Sequence, residues 1–96
     1  MIKKLQEAQS QAEPDGLRIE QAVSNGKALM AEGTALSEVA MAIYRLLEGL
    51  PRDTIVAALM EGMALSELDA STYRYHCRRK VEAERRRSAG ALQRHP

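Results

Sequence analysis

Apolar residues recur at spacings of three and four along most of the chain, in blocks that Gly and Pro separate. The first block holds Ile2, Leu5, Ala8 and Ala12, the stripe of a short amphipathic helix over residues 1–13 with little apolar weight. Pro14-Asp15-Gly16 predicts its end, because Pro lacks a backbone donor and Gly turns readily. Ile19, Ala22, Val23, Leu29 and Met30 form a second stripe over residues 17–32, interrupted by Gly26 and followed by Gly33 in the position of a stop. The third block, residues 35–48, carries Leu36, Val39, Ala40, Ile43, Leu46 and Leu47 over a wide arc and is expected to be central. Gly49 and Pro51 close it. In the fourth, Asp53 or Thr54 is placed to cap a helix whose Ile55, Val56, Leu59 and Met60 lead to Gly62 as the stop. The fifth starts near Ser66, with Asp69 three residues on as in a capping box, and meets no Gly or Pro until Gly90. Apolar content fades after Ala83, so the pattern predicts one helical domain over residues 1–88, with residues 1–13 free to move, and a disordered tail over residues 89–96.

Two of these blocks share their words. ALMAEGTALSE, from Ala28 to Glu38, returns as ALMEGMALSE from Ala58 to Glu67, and with Ala31 skipped the match extends to Tyr44-Arg45 and Tyr73-Arg74. The repeated object reads as a helix end, a glycine turn and a second helix, with Ser37-Glu38 and Ser66-Glu67 as capping pairs. Composition agrees: three Tyr, no Phe and no Trp leave Leu, Ile, Val, Met and Ala to fill a core, and helix formers dominate. The expectation is an all-α bundle of four to five helices built from two helical hairpins. A chain of 96 residues buries a modest core, which a partner subunit would supplement.

The two copies end differently. The first continues into Leu46, Leu47 and Leu50, which suit a core; the second continues into Tyr75, His76, Arg78, Arg79 and Lys80, which do not. The net charge of +1 conceals the same division: residues 1–72 hold 6 Lys and Arg against 11 acidic residues, and residues 73–96 hold 8 against 2. A basic segment attracts phosphates and an acidic body repels them, so the C-terminal helix is the side that would face nucleic acid. Ser71, Tyr73, Arg74, Tyr75, His76, Arg78, Arg79 and Lys80 are the candidate contacts on its N-terminal part, and Arg85, Arg86 and Arg87 the candidate backbone contacts. Arg and Lys gain from counterion release on phosphates, and a helix fits the major groove, where Arg can read guanine.

The second hairpin, about residues 54–80, resembles the helix-turn-helix of bacterial, plasmid and phage DNA-binding regulators. Ala58 stands four residues before Gly62, Met63 directly after it and Leu68 six after it, at the places where that family packs its two helices. The stretch EGMALSE with the later STYRYH is also similar to the tail domain of resolvase-type recombinases, although the second glycine turn found there is missing and Ser71 occupies an apolar position. The resemblance implies a cytoplasmic, homodimeric transcriptional regulator, such as a repressor, whose basic helix over residues 66–87 enters the major groove of double-stranded DNA.

Other chemistries find little footing. His76 and Cys77 point about 100° apart on a helix, and no second Cys or spaced His completes a metal site. Cys77 is expected to pack against the residue 51–62 helix, and Tyr73 and Tyr75 suit packing as well as base contact. No nucleophile with a base, no phosphate-binding glycine loop and no paired carboxylates point to an enzyme, a cofactor or a small-molecule substrate. One cysteine and no basic start ahead of an apolar run indicate neither secretion nor a membrane. The competing expectation is a protein adaptor or secretion-type chaperone using the Met-rich surface of Met30, Met41, Met60 and Met63, and a third is RNA binding by the arginine-rich end.

Overall fold

The computed structural model describes the backbone of residues 2–94 and the side chains of residues 15–89. The chain is all-α, with four helices and no strand among the described residues: α1 (Ile2–Ala31), α2 (Leu36–Leu47), α3 (Arg52–Met63) and α4 (Glu67–Arg94). Two expected interruptions are absent. α1 runs through Pro14-Asp15-Gly16, where the sequence predicts a stop, and α4 continues past Ala89 to Arg94, where it predicts a disordered tail. A single missing donor at Pro14 costs the ladder one rung, about 3 kcal/mol in a helix interior, but leaves both flanking segments free to stay helical. The flank after it is also tied down. Arg18 donates from Nε to the Leu46 carbonyl at 3.1 Å and from Nη2 to the Glu48 carbonyl at 3.0 Å, capping the end of α2, while Asp15 sits 3.7 Å from its guanidinium. The facing of Ile2, Leu5, Ala8 and Ala12, and residues 95–96, lie outside the described residues.

The ends of the helices show that the repeated words are not used in the same way. At the first copy, Gly33 adopts φ 81°, and the bonds Gly33 N–H to Met30 carbonyl and Thr34 N–H to Leu29 carbonyl, both 3.1 Å, close the end of α1. At the second copy, Gly62 stays inside α3 and Ala64 takes the left-handed conformation instead, with φ 54°, while the Leu65 N–H bonds the Met60 carbonyl at 3.1 Å. The turn therefore comes two residues later than the words suggest. Ser66 is consequently a true cap, accepting the Asp69 N–H at 3.2 Å, whereas Ser37 lies inside α2, which starts after an uncapped Ala35. α3 likewise begins after Pro51 with no side-chain cap, so Asp53 and Thr54 lie in its first turn and do not cap it.

Gly62 and Gly26 are kept from turning by a shared task. A Cβ on Gly26 would stand 2.6 Å from Cδ1 and 3.1 Å from Cγ1 of Ile43, and 3.4 Å from the Gly62 carbonyl oxygen. A Cβ on Gly62 would stand 2.9 Å from the same Cδ1 and 3.5 Å from the backbone of Val23. Bare backbone on α1 and α3 thus makes the slot that Ile43 of α2 fills, and Ala22 and Ala58 are further small buried residues on the same two helices. The core spreads outward from there through Val39, Ala40, Leu47, Ile55, Val56, Leu59 and Met63. α2 is central as expected, though Tyr44 is buried in it while Leu36 and Leu46 are 43% and 37% exposed. α1 packs on α2 and α3; α4 packs on the same two helices and, among the described residues, makes no close approach to α1.

The slot predicts a coupling. Gly26→Ala should destabilise the fold by about 1–3 kcal/mol through overpacking, even though Ala is the better helix former. Ile43→Val, which removes the clashing Cδ1, should then cost less in the Gly26→Ala background than alone; additive denaturation energies would show that the two do not meet. Ala64→Gly should raise stability by about 1 kcal/mol in the same denaturant titration, because it relieves a left-handed non-glycine residue, and a loss would contradict the turn geometry.

Candidate nucleic-acid interface

α4 is the peripheral helix that carries the basic segment. Its inward face is narrow: Ala70, Cys77 and Val81 are buried at 0%, 4% and 5% exposure, with Tyr73 packed partly beside them. Spacings of seven and four keep these residues on one side. At about 100° per residue, the face pointing away from the bundle is then Leu68, Thr72, Tyr75, Arg79 and Arg86. Arg74, Arg78 and Arg85 run along one flank, and His76, Lys80 and Arg87 along the other. The candidate contacts therefore occupy three sides of the helix, and several are already engaged.

Ser71 accepts a hydrogen bond from Arg52 Nη2 at 3.2 Å and is half-buried. Tyr73 belongs to the core boundary, and Arg74 is half-buried beside Tyr44 with its Nε buried and unpartnered. Burial pushes the Tyr44 hydroxyl above its usual range; Glu48 adds to that, and the Arg74 and Arg78 guanidinium groups oppose it. Arg78 donates to Glu82 at 3.0 Å, Arg85 pairs with Glu48, and Arg45 reaches across from α2 to Glu84 at 3.0 Å. Such pairs contribute little stability one by one, but the Arg45–Glu84 and Arg85–Glu48 pairs seam α4 to α2, and all three spend part of its positive charge internally.

The remainder is open. Arg79 lies over the Tyr75 ring at 5.9 Å from its centroid and donates from Nη1 to the hydroxyl at 3.4 Å, while His76 meets the same ring edge-on at 5.7 Å. Lys80, Arg86 and Arg87 are exposed and form no ion pair with any described residue, as is also true of Arg79. The N-terminal turn of α4 is of the opposite sign, with Glu67 and Asp69 exposed. Tyr73 and Arg74, placed by sequence among the base contacts, are thus drawn toward the bundle, and the accessible cations lie in the middle and C-terminal parts of the helix.

Of the packing positions behind the helix-turn-helix resemblance, Ala58 and Met63 are each 2% exposed, but Leu68 is 76% exposed. The two-residue delay of the turn is the reason: it rotates α4 so that Ala70 takes the inward position. No second turn divides α4. Sequence reasoning also missed Arg45, Glu48 and Arg52, whose engagement of α4 depends on contacts 19 to 39 residues apart. Cys77 lines a cleft of about 180 Å³ with Tyr73, His76 and Lys80 of α4 and Ser37 and Met41 of α2. Among the described residues no three His, Cys, Asp or Glu side chains converge as a metal site, and no helix is long and apolar enough to cross a membrane.

No family model matches the chain, and no curated protein or solved structure matches it either. Its class is defined by the fold alone, as an all-α protein of four helices among the described residues, the last of them peripheral and asymmetrically charged.

Burial pushes the Cys77 thiol above its ordinary range, and Lys80 and Arg45 pull it only partly back. Reaction with a disulfide reagent at neutral pH should therefore be on the order of a hundredfold slower in the folded chain than in denaturant, since the thiolate is the reacting form and access requires local opening. Equal rates would place Cys77 at the surface.

Proposed function

We propose that the chain is a small DNA-binding regulator that holds duplex DNA through the middle and C-terminal parts of α4. The observation that carries the reading is the set of exposed cations on one continuous helix, Arg79, Lys80, Arg86 and Arg87, none paired with an acid among the described residues. A helix fits the major groove, and side chains on three of its sides reach the groove floor and both phosphate walls at once. The exposed acids Glu67 and Asp69 favour an arrangement in which the N-terminal turn stays away from phosphate. Base reading then falls to His76, Arg79 and their neighbours, and phosphate contact to Lys80, Arg86 and Arg87. Repression by occupying an operator is the simplest use of such binding.

Fluorescence anisotropy with a labelled duplex tests this. If those four cations each neutralise a phosphate, log affinity should fall against log salt with a slope of about −3.6 per chain, roughly a hundredfold between 50 and 200 mM. Arg86→Ala with Arg87→Ala should flatten that slope by about 1.8, whereas Arg78→Ala, which removes a cation already held by Glu82, should change it much less. Absence of salt-sensitive duplex binding would overturn the proposal, and preference for single-stranded RNA would transfer the surface to that ligand.

A further inference from the structure

The cleft of about 180 Å³ between α2 and α4 has no part in gripping a duplex. Met41 of α2 and Tyr73 of α4, both half-buried against the core, form its walls, and the buried Cys77 side chain lines it with them. Its polar groups come from Ser37, His76 and Lys80, all exposed. An apolar cavity of about 150 Å³ is enough to hold benzene, so the space takes one aromatic ring. We infer that this cleft binds a small carboxylate with a ring-sized apolar body, and that its occupation weakens the hold of α4 on duplex DNA. The second half of that inference rests on the function proposed above; the first half does not.

The lining selects the ligand by charge. Among the described residues no acidic side chain lines the cleft, and Lys80 forms no ion pair. The charges that reach the Cys77 thiol, Lys80 and Arg45, are both positive, and burial keeps the thiol itself neutral. Arg45 is already held by Glu84, which leaves Lys80 as the cation without a partner. A neutral, apolar floor beside an unpaired ammonium fits an amphipathic anion. Its ring displaces water from Met41, Tyr73 and Cys77, whose sulfur atoms make favourable contacts with an aromatic edge. Its carboxylate accepts a charge-assisted hydrogen bond from Lys80, and the Ser37 hydroxyl offers a second donor. A cationic ligand would be repelled, and an uncharged one would leave the ammonium unused. Lys80 is also one of the four cations given to phosphate, so ligand and duplex compete for the same group. Arg79, Arg86 and Arg87 do not line the cleft and stay available, which makes the expected effect the loss of one contact and not of all binding.

Phenylacetate is the probe, with phenylacetamide as its uncharged counterpart. In a nuclear magnetic resonance titration of the full chain, phenylacetate should give saturable amide shifts centred on residues 37–41 and 73–80, with a Kd on the order of a millimolar. Phenylacetamide should bind about fivefold more weakly. Lys80→Gln should abolish that preference with unchanged helical circular dichroism, because the side chain is exposed, whereas Lys27→Gln, an exposed cation on α1, should keep it. In the duplex titration, saturating phenylacetate should flatten the salt slope by about 0.9 per chain against acetate at equal ionic strength, the share of one phosphate. Absence of saturable shifts, shifts centred elsewhere, or equal binding of acid and amide would overturn the site. An unchanged salt slope in a chain that binds both ligands would overturn the competition. A chain that binds phenylacetate in the cleft but no duplex would support the site and sink the DNA reading alone.

Discussion

The three-way approach of α1, α2 and α3 around Ile43 is the constraint on which the rest of the molecule depends. Two glycines remove side chains where the backbones of α1 and α3 come closest, and Ile43 fills what they leave. Because dispersion attraction decays steeply with separation, a contact of this closeness fixes the relative positions of three helices more tightly than a looser aliphatic layer would. Its consequence extends to the fourth helix. α4 packs on the same α2–α3 pair that α1 covers, and a narrow strip of Ala70, Cys77 and Val81 is all it needs to bury.

That narrowness is what makes α4 available for function. A helix that buries one strip keeps most of its circumference for polar residues, and α4 uses the freedom unevenly. Its N-terminal turn is acidic, its outward face begins apolar with Leu68 and Tyr75, and its later part is rich in arginine. The ion pairs from Arg45 and Glu48 fasten the flank nearest α2 and neutralise some of the charge there, so the cations left over, Arg79, Lys80, Arg86 and Arg87, define the accessible basic surface. The division of labour between the two similar hairpins is therefore physical: one is enclosed on its apolar arc, and the other displays a helix.

The similar wording of the hairpins conceals a difference in register that no local reading could find. In isolation, the Gly in EG is the best residue to leave a helix, as Gly33 does. Gly62 has the same freedom and does not use it, because the absence of its side chain is needed for packing against Ile43 and Val23, and the strained turn falls to Ala64. The shift of two residues exchanges Leu68 for Ala70 on the inward face. It explains why the expected packing residue is in solvent and why some expected nucleic-acid contacts, Tyr73 and Arg74 among them, are partly withdrawn.

The sequence by itself determined the helical class, the four strongest helical segments and the segregation of charge onto the last of them. Those properties follow from propensity and from periodic apolar positions, which act within a few residues. The stop expected at Pro14-Asp15-Gly16 failed because a local breaker was outweighed by helical flanks and by Arg18 anchoring α1 to α2. Only the tertiary structure decided which glycine turns and which packs, which arginines are engaged, and which face of α4 is outward. Each of these depends on groups brought together from distant parts of the chain, and a one-residue change of register on a helix rotates its contacts by about 100°.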